Sequence, residues 1–229
     1  MAPLTLSGAA ESVPTDFAQL LDMLESRPQP AVVFYSSDES RVELSGRVLA
    51  NWAVKLVGLF GEEYDLGEGD RVLLDTAAHW KAAAVLLAAS AMGSQVAVEP
   101  AEAAEVVVTD RPGAWIRSEQ LGEAELAAVS AGMVDASFEE ATGEALPAWV
   151  LDISADTPQQ PDQLTAPLPP VALPETAEEA SQPLVLTDWL PDSAPAMIGT
   201  WARGGLVVLF EGEASGPRWD QMRRNEGIA

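Results

Sequence analysis

The sequence predicts an α/β fold in which a mostly parallel sheet is flanked by helices. Short apolar runs alternate along the chain with longer segments whose apolar residues recur at helical spacing. Strands that alternate with helices are typical of a parallel or mixed sheet covered by those helices. The chain has 229 residues, of which 48% are hydrophobic, so it is long and apolar enough to bury a core.

The first third of the chain predicts a helix, a hairpin and a second, longer helix. Thr15 is the predicted N-cap of the first helix, and Asp16 suits the positive end of its dipole. The apolar residues of this helix are Phe17, Leu20, Leu21 and Leu24. Residues 31–36 and 41–44 are strand-like and flank a polar turn, which predicts a hairpin. Ser45 is the expected cap of the second helix, whose apolar face contains Val48, Leu49, Trp52, Leu56, Leu59 and Phe60.

The middle of the chain predicts further strands and helices in alternation. Buried strands are expected at residues 71–75, 95–98 and 105–109. An alanine-rich helix lies between the first two of these strands, and Gly93 is its expected C-terminal stop. Beyond residue 118 the pattern predicts a helix near Glu123 to Ser130, and then strands at 132–138 and 149–154.

Prolines crowd residues 155–183, and such a run cannot hold a regular helix or a central strand. We therefore divide the chain into a flexible leader (1–14), a main α/β body (15–154), this proline-rich connector (155–183) and a smaller C-terminal βαβ unit packed on the body (184–229). Within that last unit, Pro217 is a favoured first residue for a final helix.

The charge of the chain excludes several classes of partner and site. Twelve basic residues against 36 acidic ones give a net charge of −24. Nucleic acids and anionic membranes bind proteins through Lys and Arg, so neither is an expected partner. The chain has no cysteine and a single histidine, His79, which excludes thiolate nucleophiles, Cys-ligated metals and His-rich metal sites. A protein partner, a homo-oligomer or an unidentified small molecule stays open.

The chain shows no targeting or membrane-spanning pattern. Residues 1–14 lack the basic start and apolar centre of a signal peptide. The longest mostly apolar stretch, Ala82 to Met92, is far shorter than the ~20 residues needed to cross a bilayer. A cytoplasmic location is therefore expected.

Between Val42 and Pro100 the order of parts is characteristic. A long helix leads to the turn at residues 69–72 (GDRV) and a strand, and an alanine-rich helix then ends in a glycine and a strand that runs into a proline. This layout resembles the opening of AMP-binding, adenylate-forming enzymes, which include acyl-CoA synthetases, luciferases and peptide-synthetase adenylation domains. Residues 106–110 and 197–210 resemble later parts of the same enzymes.

The whole chain resembles an uncharacterised family of short AMP-binding relatives. This resemblance implies a fold like a truncated N-terminal domain of adenylate-forming enzymes. Only through the resemblance would ATP or AMP, Mg²⁺ and coenzyme A be cofactors, since the residues themselves predict none.

The motifs that perform adenylation in the resembled enzymes are missing from the sequence. Those enzymes carry a Ser/Thr/Gly-rich loop ending in Pro-Lys-Gly, which holds the ATP phosphates through backbone N–H groups and a lysine. The nearest string here, residues 141–144 (ATGE), places an acid where a phosphate would sit. The two lysines, Lys55 and Lys81, both lie on predicted helices in the N-terminal half. Adenylation builds negative charge in its transition state, and preorganised cations must stabilise that charge.

These observations favour a non-catalytic relative of AMP-dependent synthetases and ligases that acts by small-molecule or protein binding. We predict no catalytic residue and no metal ligand for it. Two alternatives stay open: an adenylating or acyl-transfer enzyme completed by a partner chain, and a purely structural acidic subunit.

The candidate ligand site lies at the ends of three predicted strands, which finish in the polar pairs Asp75-Thr76, Thr109-Asp110 and Thr187-Asp188. Ligands of open parallel sheets bind outside the carboxyl ends of the strands. If the three strands lie side by side, their carboxylates would converge and suit Mg²⁺ or a cationic ligand. His79 and Trp80 follow the first pair on a predicted loop, where the histidine would act as acid or base or stack on a base. The favoured alternative is that the Asp and Thr residues cap turns and helices and that His79 is merely hydrogen-bonded or exposed.

Overall fold

Two β-sheets and the helices packed on them form the described part of the chain. The computed structural model describes residues 13–99, 103–175 and 182–228. One sheet has five strands and the other has four, and every strand pair except β1–β2 is parallel. The predicted α/β class with a mostly parallel sheet is therefore confirmed. The predicted leader lies outside the described residues apart from positions 13 and 14.

Helices and strands alternate along most of the chain. The strands are β1 (Pro30–Tyr35), β2 (Arg41–Ser45), β3 (Arg71–Asp75), β4 (Gln95–Ala97), β5 (Val106–Thr109), β6 (Glu125–Ala128), β7 (Leu151–Asp152), β8 (Leu184–Leu186) and β9 (Val207–Phe210). The α-helices are α1 (Phe17–Ser26), α2 (Gly46–Tyr64), α3 (Trp80–Ala91), α4 (Pro112–Ile116), α5 (Phe138–Thr142), α6 (Ile153–Asp156), α7 (Ser193–Ala202) and α8 (Gly216–Asn225). Short 3₁₀ helices occupy Glu119–Leu121 and Thr157–Gln159.

The five-stranded sheet is parallel throughout and has the order β4-β3-β5-β6-β7. Its strand β6 corrects the helix that the sequence analysis placed near Glu123 to Ser130. Leu126 pairs with Val107 of β5, and Ala127 pairs with Leu151 of β7. A short apolar run fits a buried helix or a buried strand equally well by its periodicity. Hydrogen bonding to strands on both sides decides for the strand.

The four-stranded sheet brings the two ends of the chain together in the order β2-β1-β9-β8. The predicted hairpin is confirmed, since β1 and β2 pair antiparallel. Strand β1 also pairs in parallel with β9, and β8-α7-β9 forms a parallel βαβ arrangement. The division into a body and a smaller C-terminal unit stays a prediction.

Several predicted helix ends and strands differ in detail. Asp16, and not Thr15, caps α1, because its carboxylate accepts the N–H of Gln19 at 2.8 Å. Ser45 caps α2 as predicted. The strand predicted at 132–138 is absent, since residues 132–137 form irregular bends and Phe138 begins α5. The strand predicted at 149–154 is reduced to β7, because the Asp152 side chain caps α6 directly behind it.

Helix α3 lies in the centre of the core. It contacts β1 of one sheet and β3 of the other, together with helices α2 and α7. All but one of its residues are buried, and the exception is Ser90. The start of α3 therefore lies deep between the two sheets, next to the site described below.

Within the described residues, no helix is both long and apolar enough to cross a membrane.

Candidate functional site

A cavity of about 810 Å³ opens between the two sheets. Its walls come from strands β1 and β2, from the residues that follow β5 and β6, and from helix α5. The apolar part of the lining consists of Phe34, Val42, Val129, Ala131, Met133, Val134, Phe138 and Ala141. The cavity therefore sits where the carboxyl ends of several parallel strands meet, which is the usual place for a ligand in an α/β fold.

The charged groups of the cavity are mostly acidic. Asp38, Glu43, Asp110 and Asp135 line it, against one basic residue, Arg41. The Arg41 guanidinium is already paired with Glu43 at 2.7 Å and with Glu226 at 3.0 Å. The lining therefore favours uncharged or cationic ligands over anionic ones.

Two of the predicted polar pairs meet at neighbouring strand ends. The Asp75 carboxylate accepts hydrogen bonds from Thr109 Oγ1 at 3.2 Å, Arg111 at 2.6 Å and Trp115 Nε1 at 2.7 Å. Asp110 accepts the N–H of Ala77 at 2.8 Å. Burial raises the pKa of Asp110, and that hydrogen bond opposes the rise. Asp75 is thus held by its own neighbours, while Asp110 also faces the cavity.

The third pair lies in the other sheet. Thr187 and Asp188 follow β8 and are exposed, and Asp188 accepts the N–H of Trp189 at 2.8 Å. The two sheet edges touch through a different contact, in which Trp189 Nε1 donates to Thr76 Oγ1 at 3.2 Å. The three strands do not lie side by side, and no acidic or histidine cluster suited to a metal ion occurs among the described residues.

His79 and Trp80 are buried at the start of α3. His79 Nδ1 accepts the N–H of Ala82 at 3.3 Å and so caps the helix. Burial, with a smaller contribution from Lys81, lowers the pKa of His79 to about 3, so the ring is neutral at pH 7. The Trp80 indole donates to the carbonyl of Ala131 at 2.8 Å and packs edge-on against Trp52. These contacts are those of core residues.

Lys81 forms a polar cluster with two serines beneath the cavity. Its Nζ lies 2.8 Å from Ser154 Oγ and 3.4 Å from Ser130 Oγ, and the two hydroxyl oxygens are 3.0 Å apart. All three side chains are buried, Lys81 with 1% of its surface exposed. Ser130 also lines the cavity, so the cluster connects a buried amine to the open space.

The surroundings of Lys81 disfavour its charged form. Burial lowers the pKa of Lys81 to about 8, although the carboxylates of Asp135 and Asp152 oppose this effect. The ring centres of Trp80 and Trp52 lie 5.5 Å and 5.9 Å from the ammonium and favour the charged form, but burial remains the larger effect. A substantial fraction of the amine is therefore neutral near pH 8 and able to accept a proton.

Sequence reasoning missed the residues that complete these two clusters. Arg111 and Trp115 carried no motif that linked them to Asp75. One signal could have found Lys81, because it is a single charged residue in an otherwise apolar helix. A lysine that is buried with such a helix needs a polar partner. Nothing in the sequence connected it to Ser130 and Ser154, which lie 49 and 73 residues away along the chain.

Comparison with known proteins shows the fold. An acyl-CoA synthetase from Brucella canis superposes with a TM-score of 0.73 and 15% identity over 98% of this chain and 48% of that protein. The fold is therefore similar to that of acyl-CoA synthetases. Acetoacetyl-CoA synthetase from Streptomyces lividans gives a TM-score of 0.66 and 13% identity over 93% of this chain and 44% of that one. The predicted resemblance to AMP-binding enzymes is confirmed at the level of the fold.

Sequence comparison reaches less far. A TIGR03089 family protein from Mycobacterium tuberculosis (strain ATCC 25618 / H37Rv) is 36% identical over 104 residues, which cover 44% of this chain and 39% of that protein. No protein-family model matches the sequence. The chain spans less than half the length of these relatives.

Proposed function

We propose that this chain is a relative of acyl-CoA synthetases that binds a small uncharged or cationic molecule in the cavity between its sheets, without activating a carboxylate itself. The observation that carries the proposal is the 810 Å³ cavity, whose lining combines apolar side chains with four carboxylates. A volume of this size is typical of small-molecule sites in proteins.

The charge of the lining argues against a nucleotide as the ligand. Four carboxylates line the cavity, and Arg41 already has two carboxylate partners. A polyphosphate entering this space would meet repulsion at short range, which salt screens only weakly inside a partly buried site. An amine or an uncharged molecule with an apolar body meets no such repulsion.

The two lysines of the chain are engaged elsewhere. Lys55 Nζ donates to the carbonyl of Gln160 at 2.5 Å and pairs with Asp162 at 2.9 Å. Lys81 is buried beneath the cavity with Ser154. Neither ammonium group is presented to a phosphate, and adenylation needs such a cation at the developing negative charge.

Three small aromatic ligands of similar shape and different charge, together with two nucleotides, test the charge preference of the cavity. We expect benzylamine and benzyl alcohol to raise the melting temperature and release heat in titration calorimetry, and benzoate, AMP and ATP to do neither. Asp110→Asn should weaken benzylamine binding more than benzyl alcohol binding, because it removes one cavity charge. Asp22→Asn on the exposed face of α1 is the matched control. Binding of ATP as tight as that of benzylamine would refute the proposal.

An adenylating enzyme completed by a partner chain is the second candidate. The observation in its favour is that this chain superposes on 48% of the Brucella enzyme, whose remaining part has no counterpart in the superposition. ATP–pyrophosphate exchange across a panel of carboxylic acids, with cell extract added, tests it. Exchange that depends on this chain would support the second candidate over the first.

A further inference from the structure

The cluster of Lys81, Ser154 and Ser130 has the arrangement of an activated nucleophile. The amine contacts one hydroxyl at 2.8 Å, and that hydroxyl contacts the other at 3.0 Å. The last member, Ser130, lines the cavity. We infer that Ser130 is a nucleophile for acyl transfer, activated through Ser154 by Lys81, and that its substrate is an uncharged or cationic ester. This inference rests on the same cavity as the proposed function.

The geometry provides a continuous path for one proton. When Lys81 is neutral, its nitrogen accepts the proton of Ser154 Oγ, and Ser154 Oγ in turn accepts the proton of Ser130. The three atoms are within hydrogen-bonding distance in sequence, and the direct separation of Lys81 Nζ from Ser130 Oγ is 3.4 Å. A general base must lie within this reach of the proton that it removes, directly or through one intermediate.

The surroundings keep the lysine suitable as a base. Asp135 and Asp152 interact with its charge from the cavity wall and from the start of α6, and both favour the ammonium form. His79, two residues before Lys81, is neutral at pH 7 and adds no charge. Burial outweighs the two carboxylates and lowers the pKa of Lys81 to about 8. A general base is most effective when its pKa lies near the working pH, and a pKa of about 8 meets this condition near neutral pH.

The proposed step balances its atoms. Ser130 Oγ forms a bond to the acyl carbon of the ester, and its proton passes through Ser154 to Lys81. The bond from the acyl carbon to the alcohol oxygen breaks, and the departing alkoxide takes the proton back from Lys81. Water then hydrolyses the acyl-Ser130 ester and releases a carboxylic acid.

The lining of the cavity restricts the ester. Phe34, Val129 and Phe138 supply apolar wall for an acyl chain or a ring. The carboxylates of Asp110 and Asp135 disfavour anionic substrates such as acyl phosphates and coenzyme A thioesters. A short uncharged ester is therefore the appropriate probe.

A fluorophosphonate probe tests the inference, because it forms a stable bond with an activated serine hydroxyl. The full chain is incubated with the probe between pH 6 and pH 10, and the modified residue is located by peptide mass spectrometry. We expect one adduct, on Ser130, whose rate of formation rises by about tenfold between pH 7 and pH 9 as Lys81 loses its proton. Hydrolysis of p-nitrophenyl butyrate should follow the same pH profile.

Variants separate activation from simple exposure. Ser130→Ala should abolish labelling, and Ser154→Ala should slow it by about tenfold, because only the longer direct contact of 3.4 Å between Lys81 and Ser130 remains. Lys81→Met should slow labelling by about 100-fold or more, because it removes the base. If Lys81→Met does not fold, Ser154→Ala still tests the inference. Ser26→Ala, at the exposed end of α1, should label like the natural chain.

The outcomes are distinct for the two proposals. Labelling that is absent, that occurs on another residue, or that is unchanged in Ser154→Ala overturns the inference. If the probe does not react with the protein but benzylamine still binds, the inference about Ser130 is wrong and the proposed function is supported. Labelling of Ser130 in a chain that binds none of the matched ligands would remove the proposed function and keep the nucleophile.

Discussion

The buried lysine makes the stability of the protein depend on pH in a way that a single substitution can isolate. The pKa of Lys81 in the folded chain is about 8, against an ordinary value of 10.5. Between these two values the unfolded chain binds more protons than the folded one, so stability rises as the pH rises. Below about pH 8 both states are protonated, and the full penalty for burying the charge is present.

Replacement of Lys81 by Met removes this pH dependence. From the two pKa values, the penalty amounts to about 3 kcal/mol at pH 7 and about 1 kcal/mol at pH 10. The stability advantage of Lys81→Met over the natural chain should therefore shrink by about 2 kcal/mol across this range. Loss of the hydrogen bonds to Ser154 and Ser130 changes the unfolding free energy of Lys81→Met by the same amount at every pH, so it does not alter the pH dependence.

Urea denaturation of both proteins at pH 7, 8, 9 and 10 measures this difference. All other titrating groups are common to the two chains, so their effects cancel. Lys55→Met is the control for losing one positive charge, since that lysine is partly buried and pairs with the exposed Asp162. A difference in unfolding free energy that stays constant from pH 7 to pH 10 would refute the reasoning, and with it the role of Lys81 as a base near neutral pH.

Three other substitutions test the packing of helices α2 and α7. Gly61→Ala, at an exposed position of α2 where the added carbon comes no closer than 4.0 Å to another residue, should stabilise the protein by about 0.5–1 kcal/mol in urea denaturation. Gly46→Ala on the same helix should destabilise it instead, because the new carbon would lie 2.7 Å from the backbone oxygen of Leu24. Trp201→Phe should lower the melting temperature and reduce stability by about 1–3 kcal/mol, since it removes the buried hydrogen bond to Ala31 at 3.0 Å. A neutral effect of Trp201→Phe would show that the surrounding core relaxes around the smaller ring.

Local chemistry along the chain determined much of the fold. The polar turn between β1 and β2 predicted their hairpin, and Ser45 predicted the start of α2, because both depend on residues that are neighbours in sequence. The same reasoning failed for β6. Its apolar run fits helix or strand, and only the flanking strands β5 and β7 decide between them.

Of the predicted site residues, Asp110 alone lines the cavity. Asp75 and Thr109 end neighbouring parallel strands and Asp110 comes next, so the pattern of strand ends predicted that they lie close together, while their role in ligand binding stays a prediction. Thr187 and Asp188 have the same local pattern, yet β8 belongs to the other sheet. Which strands share a sheet depends on packing across the whole chain, and no local pattern encodes it.

The sequence by itself determined the α/β class, the acidic surface, the absence of thiol chemistry and the lack of a recognisable phosphate loop, because each follows from residue types and short-range spacing. Only the tertiary structure decided that Lys81 lies against Ser130 and Ser154 beneath a cavity. These residues come from the start of α3, the segment just after β6 and the start of α6, which are far apart along the chain. They meet because the central helix and the five-stranded sheet must pack face to face to bury their apolar surfaces.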